Sequence, residues 1–143
     1  MRLLVIHGPN LNMLGKRDPQ HYGTRTLEQL YDDLVDAFPE VDFTFFQSNH
    51  EGEILDVIHD SFADSFDALL INPGALTHTS IALRDAIEIL EIPVVEVHLS
   101  DIGQREDFRR IDYIRAVCEA AFFGKGFESY LEAVEYLQEK DVV

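Results

Sequence analysis

The sequence predicts an α/β fold, with a five-stranded parallel sheet covered by helices on both faces. Three observations predict it: five short apolar runs read as strands, segments of helical apolar period alternate with them, and Gly or Pro punctuates most junctions. Parallel neighbours need a crossover connection, usually a helix, so alternation of this kind favours a parallel sheet.

Arg2–His7 reads as a strand closed by Gly8-Pro9. Leu11–Gly23 is loop-like, with Gly15, Pro19 and Gly23 as breakers. Thr26–Phe38 carries apolar residues at 27, 30, 31, 34, 35 and 38, a helical period that stops at Pro39. Val41–Gln47 is a second strand, and Glu51–Phe66 a helix with Ile54, Leu55, Val57, Ile58 and Phe62 on or near one face. Ala68–Asn72 is a third strand ended by Pro73-Gly74, and Thr79–Leu90 is a helix that Thr77 or Thr79 could cap. The N–H groups at that helix start form an anion site in principle. Pro93 opens the fourth strand, Asp107–Cys118 reads as a helix, and Ala120–Phe123 is a short fifth strand closed by Gly124 and Gly126. Phe127–Lys140 is a terminal amphipathic helix. No repeat or linker divides the chain, which reads as a single domain over 1–143 with a glycine-bounded lid around 15–25.

Composition narrows the function. The chain has 27 acidic against 11 basic residues, a formal charge of −16. Such a surface repels nucleic acid and anionic membranes, so neither is an expected partner. No apolar run approaches a membrane span, and Arg2 leads directly into a strand rather than a signal peptide. Cys118 is the only cysteine, so no internal disulfide or cysteine-based zinc site forms; this fits a reducing cytoplasm. Against this acidity the arginines stand out: Arg105, Arg109 and Arg110 fall close together, and Arg17 lies in the glycine-bounded loop.

Ligands of open α/β sheets bind beyond the carboxyl ends of the strands. The first, third and fourth strands end in His7-Gly8-Pro9-Asn10, Asn72-Pro73-Gly74 and Glu96-Val97-His98-Leu99-Ser100, which should therefore meet at one edge. In the fourth strand Glu96, His98 and Ser100 share a face. A carboxylate two residues from an imidazole suggests an oriented acid/base, with Glu96 keeping His98 protonated near neutral pH. Asn72 offers donor and acceptor to a ligand, although ordinary turn chemistry explains its segment equally well. Tyrosine is a poor base at neutral pH unless a guanidinium stabilises its phenolate; Arg17, Arg105 or Arg109 could do so for Tyr22. Read from spacing alone, Tyr22 is simply a surface-loop aromatic. His7 and His98 find no convincing third metal ligand, and neither G-x-G-x-x-G nor a P-loop is present, so no metal or nucleotide cofactor is expected.

Seven collinear segments resemble type II 3-dehydroquinate dehydratases over nearly the full length. They are His7-Gly8-Pro9-Asn10-Leu11-Asn12, Arg17-Asp18-Pro19…Tyr22-Gly23, Gln47-Ser48-Asn49-His50-Glu51-Gly52, Asn72 to Ser80, Ala82-Leu83-Arg84-Asp85-Ala86, Glu96 to Ser100, and Arg105-Glu106-Asp107-Phe108-Arg109. The resemblance implies a flavodoxin-like three-layer sandwich and a lyase of the shikimate pathway or of quinate breakdown. That enzyme reversibly dehydrates 3-dehydroquinate to 3-dehydroshikimate through an enolate, without a cofactor. It implies Tyr22 as base, Arg17 holding it ionised, Asn10 at the oxyanion, His98 as the acid that expels hydroxide as water, and Glu96 orienting His98. Asn72, Leu99 and Ser100 are implied for the substrate carboxylate, and His78, Arg109 and Asp85 for ring hydroxyls. Asp85 is implied to act in a neighbouring subunit, within a trimer and commonly a dodecamer. His7, Ala75, Asp101 and Gly103-Gln104 depart from the usual pattern without removing any of these groups.

Two other readings are weaker. A type I enzyme needs a desolvated lysine for its Schiff base, and Lys16, Lys125 and Lys140 all lie outside apolar strands. A non-enzymatic flavodoxin-like carrier or receiver is disfavoured because the first strand ends in His7-Gly8 rather than acids.

Overall fold

The computed structural model describes residues 1–142. Five parallel strands, β1 (Arg2–His7), β2 (Asp42–Gln47), β3 (Ala68–Asn72), β4 (Val94–His98) and β5 (Ala120–Phe123), form one sheet in the order β2-β1-β3-β4-β5. This is the flavodoxin-like order. The chain leaves β1 toward one edge and returns past it to β3, so the crossovers diverge between β1 and β3 and open a crevice at their carboxyl ends.

Strand alternation builds two cores. Leu3, Val5, Leu70, Val95 and Val97 pack on one face with helices α2 (Leu27–Ala37) and α5 (Phe127–Val142), through Leu30, Leu34, Tyr130 and Val134. Leu4, Ile6, Leu69, Ile71 and Val94 pack on the other with α3 (Glu51–Asp60) and α4 (Ile81–Glu88), through Ile54, Ile58, Leu83 and Ile87. The interior strands β1, β3 and β4 are buried on both faces because both faces are covered. Among the described residues no helix is long and apolar enough to cross a membrane.

Local sequence explains the helix starts. Thr26 accepts from the Gln29 N–H while the Gln29 side chain accepts from the Thr26 N–H, a complete capping box on α2. Ser80, rather than Thr77 or Thr79, caps α4 by accepting from the Leu83 N–H at 2.9 Å. The residues before it first make a 3₁₀ turn, Gly74–His78, which delays the helix. The α4 start therefore carries an exposed Ile81 and lies outside the lining of the crevice.

Two predicted helices differ. Glu51–Phe66 ends at Asp60, after which backbone bonds shift to i→i−3 and the Ser61 hydroxyl donates to the Ile58 carbonyl at 2.6 Å; Phe62 is exposed. Asp107–Cys118 is not an α-helix but two 3₁₀ turns, Asp107–Arg110 and Arg115–Val117. Its backbone is satisfied by tertiary partners instead. The Tyr113 N–H donates to the Thr77 carbonyl at 2.9 Å, the Ile111 carbonyl accepts from the His78 ring at 2.6 Å, and Asp112 Oδ1 accepts from the Ile114 and Arg115 N–H groups, each at 2.9 Å. A four-residue helix, α1 (Pro19–Tyr22), forms inside the segment read as loop; Asp18 caps it and Pro19 fits its first turn.

On the α2/α5 face β1 ends in His7, which is 0% exposed. Asn72 Nδ2 donates to the Tyr130 hydroxyl at 2.9 Å, which lies 2.8 Å from His7 Nε2, and the Tyr31 hydroxyl lies 3.3 Å from His7 Nδ1. Burial favours the neutral ring and pulls its pKa down to about 3. A depressed imidazole pKa stabilises the fold fully above the unfolded value of 6.5, and that stabilisation is lost as pH falls from 6.5 toward about 3. Each unit within the window removes about 1.4 kcal/mol. Denaturant titrations across it are expected to show a shallower acid loss for His7→Gln than for the parent; parallel slopes would remove His7 as the cause.

Candidate active site

The carboxyl ends of β1, β3 and β4 converge on one small cleft of about 110 Å³. Its floor depends on close backbone approach. The Gly8 N–H donates to the Asn72 carbonyl at 2.8 Å, and a Cβ on Gly8 would stand 2.2 Å from the Pro73 carbonyl oxygen. Gly74, at φ 61°, lies against Pro9 from the other strand end. No side chain fits between these two turns, so β1 and β3 hold Asn10 and Asn72 at the same edge.

Each strand end and each following segment supplies part of the lining. Asn10, in the left-handed region at φ 70°, has its N–H tied to Asn49 Oδ1 at 2.9 Å. Asn72 Oδ1 accepts from the Gly74 N–H at 3.1 Å, and one Nδ2 hydrogen goes to Tyr130, so its amide is fixed in orientation. From β4 come His98, Leu99 and Ser100, and from the turn after β3 comes His78. His78 Nδ1–H donates to the Ile111 carbonyl at 2.6 Å, which leaves Nε2 as the ring nitrogen without that tie.

Tyr22 is the centre of the positive side. Its hydroxyl oxygen accepts from Arg17 Nη2 at 2.7 Å and from Arg105 Nη1 at 2.6 Å. The Arg17 guanidinium also lies 3.7 Å from the ring centroid. Arg105 reaches Ser100 Oγ at 3.4 Å, and its Nε is buried without a protein acceptor. Arg109, held by Glu106, lines the same cleft. Burial and the charges of Arg105 and Arg109 pull the Arg17 guanidinium below its ordinary value, against the pull of Tyr22. Three guanidinium groups and no carboxylate line the cleft among the described residues, although the chain carries a charge of −16.

Glu96 lies behind His98 rather than in the cleft. It is 0% exposed, and its Oε2 is 2.6 Å from His98 Nε2. The same nitrogen is 3.3 Å from the Thr77 hydroxyl, so His98 presents its other nitrogen, Nδ1, toward the cleft it lines. Burial pulls the His98 imidazolium below its ordinary value, and the negative charge of Asp112 opposes that pull.

Asp85 is exposed on α4 and does not line its own cleft. The three lysines are exposed, and none lines it either. Spacing left Arg105 as one of several partners for Tyr22 and read Thr77 as a helix cap; it passed over Asp112. A signal for Asp112 existed: an isolated acid between Ile111 and Tyr113-Ile114. The polar atoms of Glu96, His98 and Asp112 lie within 4.8 Å of one another, close enough to suggest metal ligands. The 2.6 Å contact between Glu96 and His98 argues otherwise, because tetrahedral ligands at about 2.0–2.2 Å from a common ion stand roughly 3 Å or more apart. A proton fits there, and a cation does not.

Fold and cleft together define an α/β enzyme with a cationic ligand site at the carboxyl edge of a parallel sheet. Comparison with known proteins makes this specific. Residues 1–138 match the family described as Dehydroquinase class II. A 3-dehydroquinate dehydratase of Thermotoga petrophila is 50% identical over 142 residues, covering 98% of this chain and 96% of the relative. Another from Halothermothrix orenii is 49% identical over 136 residues, covering 94% and 91%. The crystal structure of a type II dehydroquinase from Butyrivibrio crossotus superposes with a TM-score of 0.93 at 39% identity, covering 96% of this chain and 97% of that one. The chain belongs to the class II dehydroquinase family.

Proposed function

We propose that this protein reversibly dehydrates 3-dehydroquinate to 3-dehydroshikimate through an enolate, with Tyr22 as base and His98 as acid. The observation that carries the reading is the pairing of Arg17 and Arg105 on the Tyr22 hydroxyl, in a cleft that Arg109 and His98 also line and no carboxylate lines. The ligand is a carboxylate whose reaction develops a second negative charge, and fixed cations aimed at that charge lower the barrier.

Tyr22 removes the proton beside the ketone. Two guanidinium groups donating to one phenolic oxygen accommodate negative charge on it before the transfer. Arg17 then steadies the enolate, and Asn10 helps to hold its oxyanion. His98 passes a proton to the departing hydroxyl, with Glu96 fixing the ring through Nε2. Asn72, Leu99 and Ser100 hold the substrate carboxylate, and His78 and Arg109 contact the ring hydroxyls. Residues 15–25, which carry Arg17 and Tyr22, act as the lid.

The exposed Asp85 fits a role in a neighbouring subunit's site, so we read the working unit as a homotrimer, assembling further to a dodecamer. Light scattering tests this directly, and a monomer with full activity would remove Asp85 from the site. The single buried thiol, Cys118, fits a cytoplasmic protein.

The test of the reaction is to add 3-dehydroquinate and follow the enone absorbance of the product. Turnover should persist with chelators and with substrate plus borohydride, since no lysine lines the cleft. Absence of product, or covalent trapping at a lysine, would overturn the reading.

A further inference from the structure

We propose that Asp112 is a positioning residue that shares one proton with Glu96 behind His98, and so limits the negative charge left when His98 gives up its proton. The inference rests on the reaction proposed above.

Glu96 is fully buried, yet its Oε1 has no donor partner. An orphaned carboxylate oxygen in such a place is destabilising by itself. Asp112, in the 107–118 segment, brings a carboxylate oxygen within 4.8 Å of Glu96. Its Oδ1 is committed to two backbone N–H groups, so Oδ2 is the oxygen free to address Glu96. Two carboxylates offer only acceptors to each other. One proton between them turns repulsion into a hydrogen bond and satisfies Oε1.

The surroundings favour that proton. Burial raises the Glu96 carboxyl, and burial together with Glu96 raises Asp112 to about 6. The facing groups are few. Arg115 is the one cation acting on Glu96, and its Nη1 is drawn 3.1 Å from the Cys118 carbonyl. Thr77 contributes a hydroxyl, and the buried Cys118 thiol is pushed far up, so it stays uncharged.

The consequence is a matter of charge. With one shared proton, the loaded cluster of imidazolium, Glu96 and Asp112 is neutral, and delivery of the His98 Nδ1 proton to the leaving hydroxyl leaves it at minus one. Without the shared proton the same step runs from minus one to minus two in a buried site, which Coulomb repulsion opposes. Proton balance is otherwise unchanged: the Nδ1–H bond breaks, the hydroxyl leaves as water, and Tyr22 holds the proton taken from carbon until exchange with solvent resets both groups.

Asp112→Asn is the test. Its amide donates permanently to Glu96 and keeps the backbone cap, so it mimics the protonated carboxyl. In the parent, kcat should fall as pH rises through the shared ionisation; in Asp112→Asn that limb should be replaced by one at a different pH, set by His98 alone, with the acid plateau retained. Asp112→Ala, which orphans Oε1 again, should lower kcat about tenfold or more. Infrared difference spectra of parent minus Asp112→Asn supply a readout that needs no turnover: a protonated-carboxyl band titrating above the ordinary carboxylate range. An unchanged kcat limb in Asp112→Asn would overturn the proposal, as would the absence of such a band. If Asp112→Asn does not fold, the parent's own infrared titration decides. If the parent does not turn over 3-dehydroquinate, the reaction assigned above fails, and the infrared band alone decides whether the proton is shared.

Discussion

Tyr22→Phe is expected to lose nearly all turnover while folding normally and still binding 3-dehydroquinate. General-base catalysis contributes about 10²- to 10⁴-fold, and here the removed oxygen is also the acceptor for both Arg17 and Arg105. Loss at or beyond the upper end of that range is therefore expected. The ring itself survives the substitution, so the Arg17 guanidinium keeps its aromatic contact at 3.7 Å from the centroid. The fixed positive charge that attracts the substrate also survives. The expected signature is a collapsed kcat with a dissociation constant, measured calorimetrically, close to the parent's. Near-normal kcat would remove Tyr22 as the base; lost binding with intact single-turnover chemistry would assign it to substrate capture.

His98→Ala is expected to lower kcat about 10²- to 10⁴-fold, because hydroxide is a poor leaving group without a proton donor. The substitution also deprives the fully buried Glu96 of its donor at 2.6 Å, so stability should fall by about 1–3 kcal/mol. His98→Gln separates the two effects. Its amide can donate to Glu96 but cannot deliver a proton, so it should restore the thermal midpoint and leave kcat low. If His98→Gln recovered activity along with stability, His98 would be structural and the acid would have to be sought elsewhere in the cleft.

Much of this site can be read along the chain because the parallel fold works locally. In an open α/β sheet the useful residues gather just after the strands, so Asn10, Asn72, His98 and Ser100 are found by asking where apolar runs end. Period 2 in β4 places Glu96 and His98 on one face, and the 2.6 Å contact follows from that. What eludes spacing is whatever depends on contact across the fold. Asp112 lies 16 residues beyond Glu96, in a stretch that looks helical, and comes near it where Ile111 and Tyr113 bond to His78 and Thr77 instead of continuing a helix. Tyr22 looks like a surface aromatic until Arg105, 83 residues away, donates to its oxygen.

The protonation of His98 marks the boundary most clearly. From residues two apart one infers a carboxylate supporting an imidazolium; the desolvation that pulls against it, and the second acid that opposes that pull, are invisible in the spacing. Sequence alone determined the strands, the parallel sheet, the edge where ligands bind and the identity of most groups around the cleft. All of these follow from periodicity and from chain breaks, which are properties of neighbours. Tertiary structure alone decided that three arginines share a cleft free of carboxylates, that α4 is capped by Ser80 rather than earlier, and that a second, half-buried acid stands beside Glu96. These depend on distances between segments far apart in the chain and on how much water is excluded between them, neither of which a local pattern records.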